Sequence, residues 1–424
     1  MSSTAATDSP ETPAEGIIGQ RQGPAFLPLF ILAWFGVTIA FNGMMGAAIP
    51  KVVYLLGPES KDRNLAVITS IGGVVTLVLT PLFGRLSDRT RLGWGMRRPW
   101  MAGGAVVILA GALVLAYAHV VPLLVLGWCI TQIGIAAVAM GQHTLLADQI
   151  PARIRARVSA ATGVSAGVAT VAGAAIIAAL PQDQQAPWFL VPGTICLVLN
   201  LALCFGYRDA RRTTPVEPLR AREILATYWL NPVRYKDFAW AWVCRFCITM
   251  SILTVSLFLL FLIIDSLGVP PERASAVQAV SYSVFVVANM VTTVLFGWIS
   301  DRTGRRKTIV FSASALTVAG LVVAMLAGDQ TMFLIGLGIV GAGQGAFISV
   351  DVAMMTELIP SVDDAGKDLG IVALSYQLPQ VIGPIVGAWV VGLGGGSNYT
   401  NLFLFTIVLA ALGALAVLPI KGVR

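Results

Sequence analysis

Apolar runs alternate along the chain with short polar segments, and the runs are about 20 residues or longer, enough to cross the roughly 30 Å hydrocarbon core as helices. Strict polar–apolar alternation with a period of two is missing, which argues against a membrane β-barrel. Twelve runs are expected to be helices, at residues 26–48, 64–86, 100–118, 121–147, 158–180, 187–206, 238–263, 274–299, 307–327, 331–357, 367–392 and 399–420. Pro and Gly interrupt many of them, which membrane helices tolerate because neighbouring helices satisfy the freed backbone groups. The pattern predicts an all-α membrane protein with twelve transmembrane helices.

The polar segments repeat. Gly84–Trp100 reads GRLSDRTRLGWGMRRPW, and a shorter copy, GWISDRTGRRKT, stands at Gly297–Thr308, 213 residues later. A second echo aligns Leu145–Pro151 (LLADQIP) with Met354–Pro360 (MMTELIP), so that Asp148 matches Glu357 at an offset of 209 residues. A duplicated hinge at half the chain length predicts two similar six-helix halves, an organisation typical of secondary transporters. The expected parts are a tail at 1–23, a first bundle at 24–207, a linker at 208–237 and a second bundle at 238–424. Within the linker, 217–230 mixes charged with apolar residues and reads either as a short helix lying on the membrane surface or as a plain linker.

Composition sharpens this. Charged residues make up 12% of the chain, about half the share usual in a soluble protein. The net charge of +7 could suggest nucleic acid, but its distribution speaks for a membrane. With alternating spans, 23 Lys and Arg fall on the side of the termini and four (Lys51, Lys61, Arg63 and Arg273) on the other; Arg245 lies within a span. This bias predicts that both termini are cytosolic and that the basic residues meet anionic headgroups. No compact basic domain for nucleic acid is expected. The tail lacks the basic start and cleavage site of a signal peptide. Arginine outnumbers lysine and Ala and Val abound, a composition associated with GC-rich bacteria and hence with a bacterial plasma membrane. The five cysteines all fall in apolar runs, so no disulfide, metal centre or cofactor is expected. No nucleotide-binding loop or nucleophile–base pair appears, which excludes an ATP-driven pump and gives no indication of an enzyme.

Polar groups inside the spans are the candidate machinery, because a charge at mid-membrane persists only when it faces a cavity or finds a partner. Asp351 lies six residues from the end of the tenth run and Arg245 at similar depth in the seventh. They are expected to form an ion pair that opens when a proton or substrate binds; the alternative is a static structural pair. Gln344 stands seven residues before Asp351, nearly on the same helix face. Gln132 and His143 share a face of the fourth run, and His143 has the side chain best suited to a proton switch near neutrality. Asn42, Asn289, Gln377 and Gln380 are further hydrogen-bonding candidates for substrate, with interhelical contacts as the alternative. Trp34, Phe35 and Tyr376 could stack on a sugar ring, whereas Trp240 and Trp242 read as interface anchors.

The two hinges resemble the G-x-x-x-D-R-x-G-R-R loop signature of the major facilitator superfamily, with Arg91–Trp94 inserted in the first copy. That resemblance implies two pseudo-symmetric bundles rocking about a central site. It also implies a gating role for Asp88, Arg89, Arg97 and Arg98 and for Asp301, Arg302, Arg305 and Arg306, whose contacts form in one access state and act as a latch. The longer first hinge, with His143–Gln149 (HTLLADQ) and Asp368–Pro384 (DLGIVALSYQLPQVIGP), is similar to the sucrose/proton and glycoside–cation symporters. Those symporters carry a proton-binding aspartate in the fourth helix where this chain has Gln132, which does not titrate. The expected activity is secondary active transport of a small polar solute, a saccharide or glycoside, with a proton as co-substrate and the chain acting as a monomer. The competing expectation is proton-driven efflux of drugs or metabolites. Against it, the fifth run has no proline, and the fourth lacks the arginine before Gln-Gly that antiporters carry.

Overall fold

The computed structural model describes residues 22–209, 235–357 and 365–420, and the backbone of Ile17–Ile18, which pairs antiparallel with Arg211–Arg212. The surface helix or plain linker expected at 217–230, and the side chain of Glu357, lie outside the described residues. The described chain contains twelve helices long and apolar enough to span a membrane. They are α1 (Phe26–Leu56), α2 (Lys61–Asp88), α3 (Arg98–Ala116), α4 (Val121–Asp148), α5 (Ala152–Ala179), α6 (Gln185–Gly206), α7 (Lys236–Asp265), α8 (Pro271–Thr303), α9 (Arg306–Met325), α10 (Gln330–Glu357), α11 (Ala365–Val391) and α12 (Tyr399–Ala416).

Several helices outrun the sequence expectation. α1 continues past Pro50 to Leu56 through a five-residue π-helical turn at Met44–Ala48. The wider turn makes room for a proline that brings no N–H donor. Lys51, expected in an outer loop, is therefore buried within α1. Its ammonium donates to Gln182 Oε1 and lies 4.0 Å from the centre of the Trp188 ring. α5 begins at Ala152, so that Arg153, Arg155 and Arg157 form its first turns instead of a loop. Arg155 folds back to donate to the carbonyls of Ala147 and Ile150, which the end of α4 leaves free.

Packing repeats with a period of six helices. In the first half α1 packs on α5 and α6, α4 on α2 and α3, and α3 on α6; in the second, α7 packs on α11 and α12, α10 on α8 and α9, and α9 on α12. The halves meet through α2 against α11 and α5 against α8, two contacts exchanged by the same pseudo-twofold. Glycine permits the closest approaches. A Cβ on Gly134 would lie 2.5 Å from the Gly104 carbonyl oxygen on α3, and one on Gly336 would lie 2.6 Å from the Ala324 nitrogen on α9. Where lipid is as apolar as the side chains, such close backbone contact is a main source of helix association.

Candidate functional site

A cavity of about 460 Å³ lies between the halves, lined from α1, α5, α7, α8 and α10, a volume within the roughly 300–1,000 Å³ of small-molecule sites. Three sequence candidates converge on it: Asn42, Asn289 and Gln344. Asn42 Nδ2 donates to Thr170 Oγ1 at 2.6 Å, tying α1 to α5. Gln344 Oε1 is buried with no donor among the described residues. Tyr282 lines the cavity and donates its hydroxyl proton to the Ser256 carbonyl at 3.0 Å, while Phe41, Phe285, Met45 and Met290 supply an apolar wall. No Asp, Glu, Lys, Arg or His is among the lining residues.

Arg245 and Asp351 sit one helical turn from this lining. Thr249 and Ile348 line the cavity, and Arg245 and Asp351 lie four and three residues from them toward the hairpin end of α7 and α10. The pair is made: Arg245 Nη1 lies 3.0 Å from Asp351 Oδ2. Asp351 is 3% exposed, and its Oδ1 has no donor among the described residues. The Arg245 guanidinium stands 5.7 Å from the centre of the Tyr376 ring on α11, within cation–π range.

The other candidates do not line the cavity. Gln132 is buried between α2 and α4, where a Cβ on Gly72 would come within 3.1 Å of its Cγ. His143 is exposed, with Nδ1 2.7 Å from the Ala139 carbonyl oxygen and its ring 4.9 Å from that of Trp34. Gln377 follows Tyr376 on α11, beside Arg245, and the Gln380 carbonyl marks the α2–α11 contact, where a Cβ on Gly73 would lie 3.1 Å from its oxygen. Trp242, expected as an interface anchor, instead donates to the Ile371 carbonyl at 2.8 Å and stacks on Phe246, bracing α7 against α11.

The two arginine hairpins differ. In the first, Arg97 is buried and pairs with Asp88 at 2.6 Å and Asp148 at 3.2 Å, while Asp209 Oδ2 accepts the backbone N–H groups of Arg97 and Arg98 at 2.6 and 2.9 Å. Gly95 (φ 122°) permits this closure, since a Cβ there would lie 2.3 Å from Asp209 Oδ2. Arg98 lies over the Tyr207 ring at 4.8 Å; burial, with the Asp209 charge adding to it, pushes the Tyr207 hydroxyl pKa up. Arg89 is half-buried and makes no ion pair with a described residue. In the second hairpin Asp301 and Arg305 are exposed, Arg302 lies 4.0 Å over Trp298 and Arg306 is half-buried. Lys307 there caps the end of α12 through the carbonyls of Leu418 and Ile420.

Sequence reasoning missed the far end, opposite the hairpins. There Lys61 on α2 pairs with Asp265 on α7 at 2.7 Å, and Asp62 accepts from Ser397 and from the Tyr399 hydroxyl, each at 2.8 Å. Nearer the cavity, Gln278 of α8 donates to the Gly46 carbonyl in the π-helical turn at 2.7 Å. Each of these contacts joins the two halves, so together they form a clasp at the end opposite the hairpins. Their charges were visible in the sequence as loop residues; their pairing needs the tertiary contact.

The Major Facilitator Superfamily family model matches residues 29–288 and 274–423. The chain belongs to the Major Facilitator Superfamily. Among curated proteins it is 23% identical over 400 residues, 92% of this chain and 94% of the other, to the multidrug resistance protein MdtL of Klebsiella pneumoniae. A shorter stretch of 147 residues is 29% identical to the facilitated glucose transporter protein 1 of Caenorhabditis elegans and covers 28% of that protein. Among solved structures, the nucleoside transporter NupG superposes with a TM-score of 0.72 at 11% identity, over 93% of this chain and 99% of that one. A bacterial homologue of the human lysosomal transporter Spinster, inward-facing and unoccupied, superposes with a TM-score of 0.70 at 13% identity, over 92% and 96%. This family member is a multi-pass membrane protein and a secondary transporter. The relatives differ in what their names say they carry, so the family fixes the fold and the mode of action and leaves the solute to the cavity.

Proposed function

We propose that this transporter moves a neutral, amphipathic small molecule by alternating access, with a glycoside as the class that fits, and that a proton is its co-substrate. The single observation that carries this reading is the cavity lining. Amides and hydroxyls from Asn42, Asn289, Gln344, Thr170 and Tyr282 face an aromatic and methionine wall, with no charged side chain among them. A lipophilic cation moved into this space would leave water without a carboxylate to meet it, an unfavourable exchange. A sugar joined to an apolar aglycone satisfies both kinds of wall. The 23-to-4 distribution of basic residues supports placing the hairpins and both termini in the cytosol of a bacterial plasma membrane.

Uptake into proteoliposomes under an imposed pH gradient tests the reading, with aryl glycosides, free sugars, nucleosides and lipophilic cations offered in parallel. Accumulation of an aryl glycoside that collapses with an uncoupler is expected. Transport of the cations alone would overturn it. A second reading, export of neutral drug-like compounds, draws support from the near full-length similarity to a multidrug resistance protein; adding a neutral drug-like compound to the panel and reading its direction of movement separates the two.

A further inference from the structure

The first arginine hinge carries four residues, Arg91–Trp94, that the second hinge lacks. They form a tight turn, closed by the Gly95 N–H donating to the Leu92 carbonyl at 3.0 Å. The two large apolar side chains of this turn are not spent on the core. Leu92 is 56% exposed, and Trp94, also exposed, lies 5.7 Å from the ring of Phe205 near the end of α6. An exposed tryptophan beside the end of a membrane helix marks the headgroup level. From this level a groove of about 400 Å³ runs along the lipid side of the first half. Thr90 and Leu92 form its mouth, and Trp100, Gly103 and Val107 of α3, with Ile133 of α4, carry it about 10 Å toward mid-membrane. Trp100 Nε1 donates to Thr90 Oγ1 at 2.8 Å and its ring lies 5.2 Å from that of Phe83 on α2, which fixes the mouth in shape. Gly103 is exposed, and a Cβ there would meet nothing within 4 Å, so glycine leaves the groove open. The charge at the mouth is unbalanced. Arg89 and Arg91 flank Thr90 and form no ion pair with a described residue, whereas the neighbouring acids Asp88 and Asp148 are taken up by Arg97.

We propose that the inserted turn and the groove between α2, α3 and α4 form a binding site for one anionic phospholipid. An acyl chain fills the groove, and the phosphate at its head accepts hydrogen bonds from the guanidinium groups of Arg89 and Arg91. The two parts of the site ask for both parts of the ligand. A small anion would use the mouth and leave an apolar channel empty, and a chain without a negative head would leave two arginines without a counter-charge. This is more than the attraction of basic loops to a charged surface, because the groove sets a fixed number of one lipid and a place for its chain. The lining comes from the first half alone, so the site travels with that half as a body and its occupancy does not depend on the solute. The second hinge, without the insertion, lacks the residues that build the mouth.

Native mass spectrometry of the delipidated full chain in detergent counts bound lipids directly. The probes are phosphatidylglycerol, phosphatidylcholine with the same acyl chains, and glycerol phosphate as the head without a chain. The wild type is expected to retain one phosphatidylglycerol, preferred over phosphatidylcholine by about thirtyfold, or about fivefold for each arginine. Glycerol phosphate should not displace it. Gly103→Phe, which puts a ring into the groove and leaves the arginines in place, should abolish this retention. Arg89→Gln combined with Arg91→Gln should bring phosphatidylglycerol down to the level of phosphatidylcholine. Equal retention of the two lipids by the wild type, or a preference undiminished in either variant, overturns the proposal. Displacement by glycerol phosphate at the same concentration would reduce the site to an anion contact at the mouth and overturn it too. Should Gly103→Phe fail to fold, the double arginine variant decides alone, since neither arginine pairs with a described acid.

Discussion

Asn289 and Gln344 reach the cavity from adjacent helices, and each offers an amide that a neutral solute can engage. A hydrogen bond between uncharged groups contributes about 0.5–1.5 kcal/mol, so Asn289→Ala or Gln344→Ala should raise the half-saturating solute concentration by about two- to twelvefold. Initial-rate uptake measures this, and an unchanged value in both variants would remove the amides from the solute site. Packing makes Gly345 as important as its polar neighbours, because a Cβ there would lie 2.1 Å from the Asn289 carbonyl oxygen. Gly345→Val should overpack the α8–α10 contact, costing about 1–3 kcal/mol and lowering the melting temperature of the purified protein. At this scale the sequence exposed the ionisable pair, since two charges inside apolar runs demand each other. It did not tell which of its amides face the cavity, because interhelical and solute-facing amides occupy the same kind of helix position.

Elements carry the difference between the two ends of the molecule. The far-end clasp joins α2 to α7 and to the start of α12 through Lys61, Asp62, Asp265, Ser397 and Tyr399. Lys61 is 5% exposed, so Asp265→Asn leaves a nearly buried ammonium short of its counter-charge, at a penalty on the order of 3 kcal/mol. The equilibrium should move toward opening of the far end by about a hundredfold. A cysteine introduced for Ser397 in that background should react faster with a membrane-impermeant maleimide than in the parent; equal rates would show that the clasp does not hold the end shut. The first hairpin makes the complementary prediction. Asp209 caps the start of α3 and closes on Gly95, so Gly95→Ala should disrupt the Arg97 cluster and lower the melting temperature, whereas Gly93→Ala, where a Cβ meets nothing within 4 Å, should not. The number and order of the helices were legible because each run is long and bounded by polar residues. The ends were less so: Pro50 reads as a stop, yet the π-helical turn before it carries α1 on to Leu56. The arginines at 153–157 read as loop because charge is scarce in spans, although the first turns of a membrane helix lie at the interface, where charge is welcome.

At the scale of the whole molecule, the repeat of the arginine hinge 213 residues apart is reproduced as a repeat of helix contacts, and the cavity lies between the two halves. The duplication was visible in the sequence because both halves must turn their second hairpin with the same residues. The insertion of Arg91–Trp94 showed that the copies differ, but not how: the first hinge is a closed cluster around Arg97, while Asp301 in the second is exposed. That asymmetry, a clasped far end and a neutral cavity beside one buried ion pair are the features the proposed cycle, in which the halves rock about the solute, has to use. Distances between spin labels at the two ends of the membrane helices test this most directly, one pair bridging α2 and α7 near Lys61 and Asp265, the other bridging α4 and α10 near their hairpin ends. On the proposed proton-coupled cycle, adding solute at acid pH should lengthen the far-end distance while the hairpin-end distance shortens. If both distances stay fixed, or lengthen together, the halves do not alternate about the cavity and the account fails.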